Sequence, residues 1–549
     1  MNTTTGNFIE PETDLSFDGG AASLGFDRMY NSLSAGIGAF GPGWASTADQ
    51  RLTIDEDGAV WVQPSGRHIV FPRLGGGWDR ADGDSFWLHT TDGTGGAAGG
   101  TGPTAEAAVA ADAASRNAAT TPTAATGAVD GSSPATGDGS IGDAAAPAGA
   151  ASAVAGAGVG VFVVSDNAGG RWVFDRAGRP VSVSRGAGTR VDYRWDGDRL
   201  VGLSHERGRA ITIEWNDQHT RITALAANDG RRVDYAYDPA GRLTEAASAG
   251  GARRYGWNEQ GLIAQVVDPD GVVEVVNAYN GRGQVVSQRS RFGRTSHYTY
   301  LPGNITQVAD GDGGRANTWI HDQRGRLVGM VDADGARQSI GWDRWGNRTL
   351  VTGRDGAVTV FRYDGRGRLV TRLEASGART DYEWDGLDRV VRVTVTDTTT
   401  NNNRTATSGA ATGKTDSTST GSTGTVTGSG SGAAAGGSGP AVTSYGYAGG
   451  DRNPSTVRDP CGGVSRLVWD RGLLTGVVDP AGVVVRLGYD GHGDLVSSTD
   501  GDGNAARLVR DGAGRVVAAV TPLGHRTEYR YDQAGRLVSR RDPDGAVWR

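Results

Sequence analysis

The sequence predicts an all-β protein in which tandem hairpins coil into a spiral sheet, and three observations predict it. Ninety of the 549 residues are glycine, about 16 % against a usual share of roughly 7 %, so the backbone is rich in turns. A motif of aromatic, Asp or Asn, two or three variable residues, Gly, Arg and Leu recurs about every 21 positions. Within each unit the apolar residues alternate with period 2 and not 3.6, the mark of strands.

The first stretch, 1–90, holds LGFDRMYNS, GAFGPGW, RLTIDEDG and PSGRHIVFP, short alternating runs separated by turn residues. It reads as a small β module ahead of the repeats. Residues 91–158 are almost wholly Ala, Gly, Thr, Ser and Pro, too poor in large apolar side chains to offset the ordering cost of about 1–2 kcal/mol per residue. A disordered insertion is expected there.

The array proper spans 159–396 and resumes over 440–549. Its opening position falls at Phe174, Trp195, Trp215, Tyr237, Trp257, Tyr279, Tyr300, His321, Trp342, Tyr363 and Trp384, then at Tyr447, Trp469, Tyr489, Arg510 and Tyr531. From 384 to 447 the gap is 63, one step of 21 plus 42, so the Thr/Ser/Gly stretch 397–439 reads as a disordered insertion inside one repeat. In YDGRGRLVTRLEASGARTDYEWD, Leu369, Thr371 and Leu373 are expected on one face, with Val370 and Arg372 on the other. On the return limb Thr380, Tyr382 and Trp384 alternate with Arg379, Asp381 and Glu383. Turn tetrads such as Asp268–Gly271 and Asp479–Gly482 join the limbs, with Pro presetting φ and Gly accepting φ > 0.

Sixteen units give on the order of 32 strands, roughly 150 Å of sheet if flat, whereas open sheets seldom exceed about ten strands without curling. A spiral wall is preferred because successive units look alike. The alternative is a β-propeller, since two units make 42 residues and four strands, the size of a blade. Trp195, Trp215, Tyr237, Trp257, Tyr279, Tyr300, Trp342, Tyr363, Leu369, Trp384, Tyr489 and Tyr531 are the expected structural packing positions.

YDPAGRL at Tyr237, YDGRGRL at Tyr363, YDQAGRL at Tyr531 and HDQRGRL at His321 resemble the YD repeats of the Rhs family of bacterial polymorphic toxins, related to the shell of animal teneurins. The motifs of the first 90 residues are similar to the N-terminal β module that precedes those repeats. The resemblance implies a hollow shell enclosing the C-terminal toxin of the same polypeptide, with secretion machinery as a partner. Two family features, a terminating DPxG-type cleavage block and a toxin after it, are not found here. The sequence stops about three residues short of the next aromatic position, at 552, and reads as truncated in mid-repeat.

Function classes narrow further. Net charge −7 argues against nucleic-acid binding and anionic membranes. Nearly all the positive charge is arginine, with Lys414 the single lysine, and Cys461 has no partner for a disulfide. No apolar run nears the roughly 18 residues of a spanning helix. The expectation is a soluble chain without a Sec-type signal, secreted or displayed by another route, or cytoplasmic before export.

No cofactor or metal is expected. GIGAFG at Gly36–Gly41 matches a dinucleotide pattern letter for letter but lacks the strand and helix around it, and reads as a turn. DGDGNAARLVRD at Asp500–Asp511 has Ala505 and Asp511 where a calcium loop needs Gly and Glu. His321 replaces a repeat aromatic and is expected to pack. The recurring Asp and Arg are expected to pair between neighbouring units. No catalytic constellation appears, so the expected role is non-enzymatic containment. The alternative is a cell-surface carbohydrate-binding or adhesion module, for which Trp342 and Trp345 on an outer face would be the glycan platform.

Overall fold

The computed structural model describes residues 2–17, 21, 23–90, 162–311, 314, 316–397, 439–533 and 535–549. Both expected insertions, 91–158 and 397–439, fall almost wholly outside the described residues. One 35-stranded sheet runs from Phe86–Thr90 to Val547–Trp548, and every strand in it pairs with its neighbour in the chain. All the pairings are antiparallel, from Phe86↔Asp166 to Arg541↔Val547. Such an unbroken meander is incompatible with separate propeller blades, and the spiral wall is the observed architecture.

The sheet begins earlier than the repeat pattern suggests. Phe86–Thr90, within the stretch assigned to the N-terminal module, pairs with Phe162–Asp166 across the Ala/Gly/Thr segment, so that segment lies between two strands of one hairpin. The Thr/Ser/Gly segment is placed alike: Val390–Thr396 pairs with Ala441–Tyr447.

Two sets of turns mark the two edges of the sheet. The motif edge carries the aromatic–Asp–x–x–Gly turns, such as Asp364–Gly367; the far edge carries turns such as Asp268–Gly271. The sheet coils until far-edge turns of one revolution meet motif-edge turns of the next. Arg452 donates to the carbonyl of Asn167 at 3.0 Å, Arg207 to that of Arg471 at 2.6 Å, and His492 Nδ1 lies 2.9 Å from the carbonyl of Arg207. Arg209 and Asp494, 285 positions apart in sequence, form a buried ion pair at 2.6 Å, and Arg536 reaches Asp270. The seam thus advances in step on both sides.

Between Arg209 and Asp494 lie the seventh to the twenty-ninth strands of the sheet, 23 in all. At about 4.8 Å per strand one revolution is roughly 110 Å around and about 35 Å across.

Residues 2–85 form a separate β module. Ile9–Phe17, Leu24–Asn31 and Trp44–Ser46 make a three-stranded sheet; Arg51–Ile54, Gly58–Val62, His68–Leu74 and Gly77–Trp78 make a four-stranded one. Phe8, Leu15, Phe26, Tyr30, Phe40 and Trp44 of this module share one core with Leu203, Ile211, Leu225, Tyr235 and Tyr255 of the wall. The module therefore lies inside the first revolution.

Candidate functional site

The wall is built by a device that repeats at nearly every motif position. The strand that follows the turn carries one extra residue: Tyr363 pairs with Leu369, but Arg362 pairs with Thr371, leaving Val370 over. The same shift recurs at Trp195, Trp215, Tyr237, Trp257, Tyr279, Trp342, Trp384, Tyr489 and Tyr531; Tyr300 lacks it. A bulge breaks the hydrogen-bond ladder locally and bends the strand. It also corrects the expected faces of Leu369–Leu373. Leu369 shares the inner face with Arg372, which pairs with Phe361 and Thr380, while Thr371 and Leu373 turn outward.

The motif aromatic takes up the carbonyl beside each bulge. Trp215 Nε1 donates to Leu200 at 2.9 Å, Trp257 to Leu243 at 2.8 Å, Trp342 to Leu327 at 2.8 Å and Trp384 to Leu369 at 2.8 Å. Trp195 donates to Pro180 at 2.7 Å. Hydroxyls do the same from Tyr237 to Ile222, Tyr279 to Ile263, Tyr300 to Val285, Tyr489 to Leu474 and Tyr531 to Val516. Arg510, lacking a ring, substitutes its Nε toward Leu495. The position therefore selects Tyr or Trp, a flat apolar body with a donor at the tip. Phe174 has no donor, and the hydroxyl of Tyr363 has no such partner among the described residues.

The motif arginine closes its own turn, and at Arg368 it also bridges to the next unit's Asp388 at 2.9 Å, as the sequence suggested. Asp364 Oδ1 accepts from the backbone N–H of Arg366 and Arg368, and its Oδ2 from Arg368 Nε at 2.7 Å. Arg368 Nη1 reaches the neighbouring unit twice, at the Asp385 carbonyl and the Asp388 carboxylate, each at 2.9 Å. The guanidinium also stacks on the next aromatic, Arg368 on Trp384 and Arg242 on Trp257.

The N-terminal module packs inside the wall along its motif edge. Leu52 N–H donates to Gly178 at 2.8 Å, Ile222 N–H to Ala39 at 3.1 Å and Val285 N–H to Gly6 at 2.9 Å. Thr4 reaches Gly325 at 3.0 Å, and Arg80 stacks on Trp345 at 5.1 Å. The contacts thus follow the turns around the ring.

At their centre Arg28 is wholly buried. It grips Asp14 with two hydrogen bonds, at 2.5 and 2.8 Å, and donates to Tyr255 Oη at 2.7 Å. Rings of Trp44, Tyr255, Phe40 and Tyr235 surround the guanidinium at 4.4 to 5.8 Å. Burial opposes its charge, but Asp14 holds its pKa well above the ordinary value.

Beside it Arg253 gathers Glu10 at 2.5 Å, Glu12, and Glu274 at 2.6 Å. Burial, then the nearby Glu12, raises the carboxyl pKa of Glu10. These residues were not singled out from the sequence. Their signal was the acidic alternation in IEPETDLSF, interrupted by a bulge at Asp14 that keeps Leu15 and Phe17 on the inner face.

Other candidate residues resolve into structure. The GxGxxG segment is a two-residue hairpin, Ile37–Gly38 with Gly41–Pro42. Asp500 accepts from the N–H groups of Asp502 and Asn504 and so closes a turn. His321 Nε2 lies 3.3 Å from Thr3 Oγ1. Trp342 lies between Arg326 and Arg348, and Trp345 between Arg80 and Arg344, and both rings are half-buried. Among the described residues no group of three His, Cys, Asp or Glu side chains is placed to hold a metal.

Three family models match the chain: "Domain of unknown function (DUF6531)" over residues 1–71, "Teneurin YD-shell" over 170–370, and "RHS Repeat" over 469–505 and 510–547. Among curated proteins, the tRNA nuclease WapA of Bacillus subtilis (strain 168) is 40 % identical over 62 residues, 11 % of this chain and 3 % of that protein. The tRNA3(Ser)-specific nuclease WapA of Bacillus spizizenii matches over the same share. Solved structures that resemble the chain include the Photorhabdus luminescens Tc holotoxin pore, with TM-score 0.41 and 14 % identity over 70 % of this chain and 22 % of that one. Another is TcdB2-TccC3, with TM-score 0.34 and 13 % identity over 70 % and 29 %.

Proposed function

The chain being an Rhs/YD-repeat protein, we propose that it is the non-enzymatic shell of a polymorphic toxin, enclosing a C-terminal toxin of the same polypeptide until delivery. The observation that carries this reading is a wall wound past one full revolution, with one end of its bore closed by the chain's own N-terminal module. A closed end and a seam without gaps at its paired turns are what containment requires. Charge also segregates. The outer face of the motif strands carries pairs such as Arg232–Glu214 and Arg379–Asp381, whereas the inner face of the same strands is mostly uncharged. Export would go through secretion machinery. The nuclease activity in the relatives' names is not carried over, since the match covers 3 % of their length.

The test uses single cysteines in a Cys461→Ser background, Tyr382→Cys on the inner face and Arg379→Cys on the outer, with and without a polypeptide fused after Arg549. Containment predicts that the passenger slows thiol labelling at 382 by about tenfold or more, as burial slows access generally, and leaves 379 unchanged. Equal labelling at 382 with and without the passenger would remove the reading.

A further inference from the structure

A repeat wall offers a closing module many similar seats. Units spaced 21 residues apart present nearly the same inner surface, so apolar packing alone discriminates weakly between one rotational setting and the next. Something must break the equivalence.

The inner rows show where it is broken. Along each motif strand the aromatic and the residues two and four places before it face the bore. From Trp195 to Tyr531 the residue two places back is Tyr, Trp, Phe, Leu, Ile or Asn. Four places back it is Val, Ile, Ala, Ser, Thr, Asn or Gln in every unit except one, and that exception is Arg253. It is the sole charge in these two rows, and it meets the acidic strand of the module. Its three nitrogens are shared among Glu10, Glu12 and Glu274, and Tyr255 Oη donates to Glu12 at 2.9 Å.

We propose that Arg253 is the keying residue of the closure: by capturing Glu10 and Glu12 it fixes the one rotational setting in which the N-terminal module seats in the repeat ring. This rests on the reading of the module as the closure of a shell. Without the module the guanidinium keeps only Glu274, and Glu10 and Glu12 set against any other unit would lie desolvated with no cation to compensate them. Every wrong setting is therefore penalised, while Arg28 and Asp14, paired within the module, meet the wall through Tyr255 and Tyr235, a residue type that other units also carry at that place.

Hydrogen exchange of the full chain tests the key. Arg253→Met, which keeps the aliphatic bulk, should speed exchange of the Ile9–Phe17 amides by about tenfold and leave the wall strand Val484–Tyr489 unchanged. Glu10→Gln with Glu12→Gln should do the same, and all three together should do no more than either set alone. Arg253→Lys, a conservative change that keeps charge without the fork, should fall between and serves if the methionine variant fails to fold. Independent, multiplying effects of the two sets, or unaltered exchange of Ile9–Phe17 in Arg253→Met or Arg253→Lys, would overturn the key. Because the readout is seating and not passenger protection, labelling at Tyr382→Cys can still support the shell when the key fails.

Discussion

At the scale of single residues, the donor at the tip of each motif aromatic is the feature most open to measurement. Tyr237→Phe removes one hydrogen bond to Ile222 and should cost about 1 kcal/mol in denaturant unfolding. Tyr363→Phe, with no such bond to lose, should be nearly neutral. Equal costs would mean that the ring alone matters.

At the scale of the element, the unit is a hairpin with one bulge and two glycine-closed turns, and most of it was legible in the sequence. Period, strand pairs and turn positions follow from the aromatic–Asp–Gly–Arg spacing because each is a local preference. The bulge was not legible. Nothing in RLVTRL distinguishes Val370 as an extra residue, since the shift is set by pairing with the preceding strand. Strand Phe86–Thr90 was missed for a related reason: its partner lies more than 70 positions on, and no motif marks it. The closure's charged contacts were equally hidden, because Arg28 and Arg253 look like surface arginines until the module is placed inside the wall. Turn glycines separate local strain from docking. Gly335 sits at φ +86° with open space around it, so Gly335→Ala should cost about 1–2 kcal/mol, the strain of a left-handed residue with a Cβ. Gly178, at φ +72°, would drive its Cβ into the Leu52 carbonyl. Gly178→Ala should therefore cost more and also speed exchange at Arg51–Ile54, which Gly335→Ala should not do.

At the scale of the whole molecule, the seam joins revolutions that are distant in sequence. Arg209 and Asp494 are both 2 % exposed at the side chain. Arg209→Met would strand a buried carboxylate and should weaken the local seam by about 3–5 kcal/mol. In a linear array the loss should stay local, because each strand otherwise contacts its own neighbours. Faster exchange confined to the turns near His205–Gly208 and Asp490–Gly493 would show this, and cooperative unfolding of the entire sheet would contradict it. The strictly sequential strand order has one more consequence, which concerns synthesis. A growing chain emerges amino end first, so the central module exists before any wall is there to receive it. Each hairpin can then be laid against the one just made, without waiting for a distant strand. The nascent polypeptide can wind around the module made ahead of it, with the ribosome paying out the thread and that earlier piece serving as the spool.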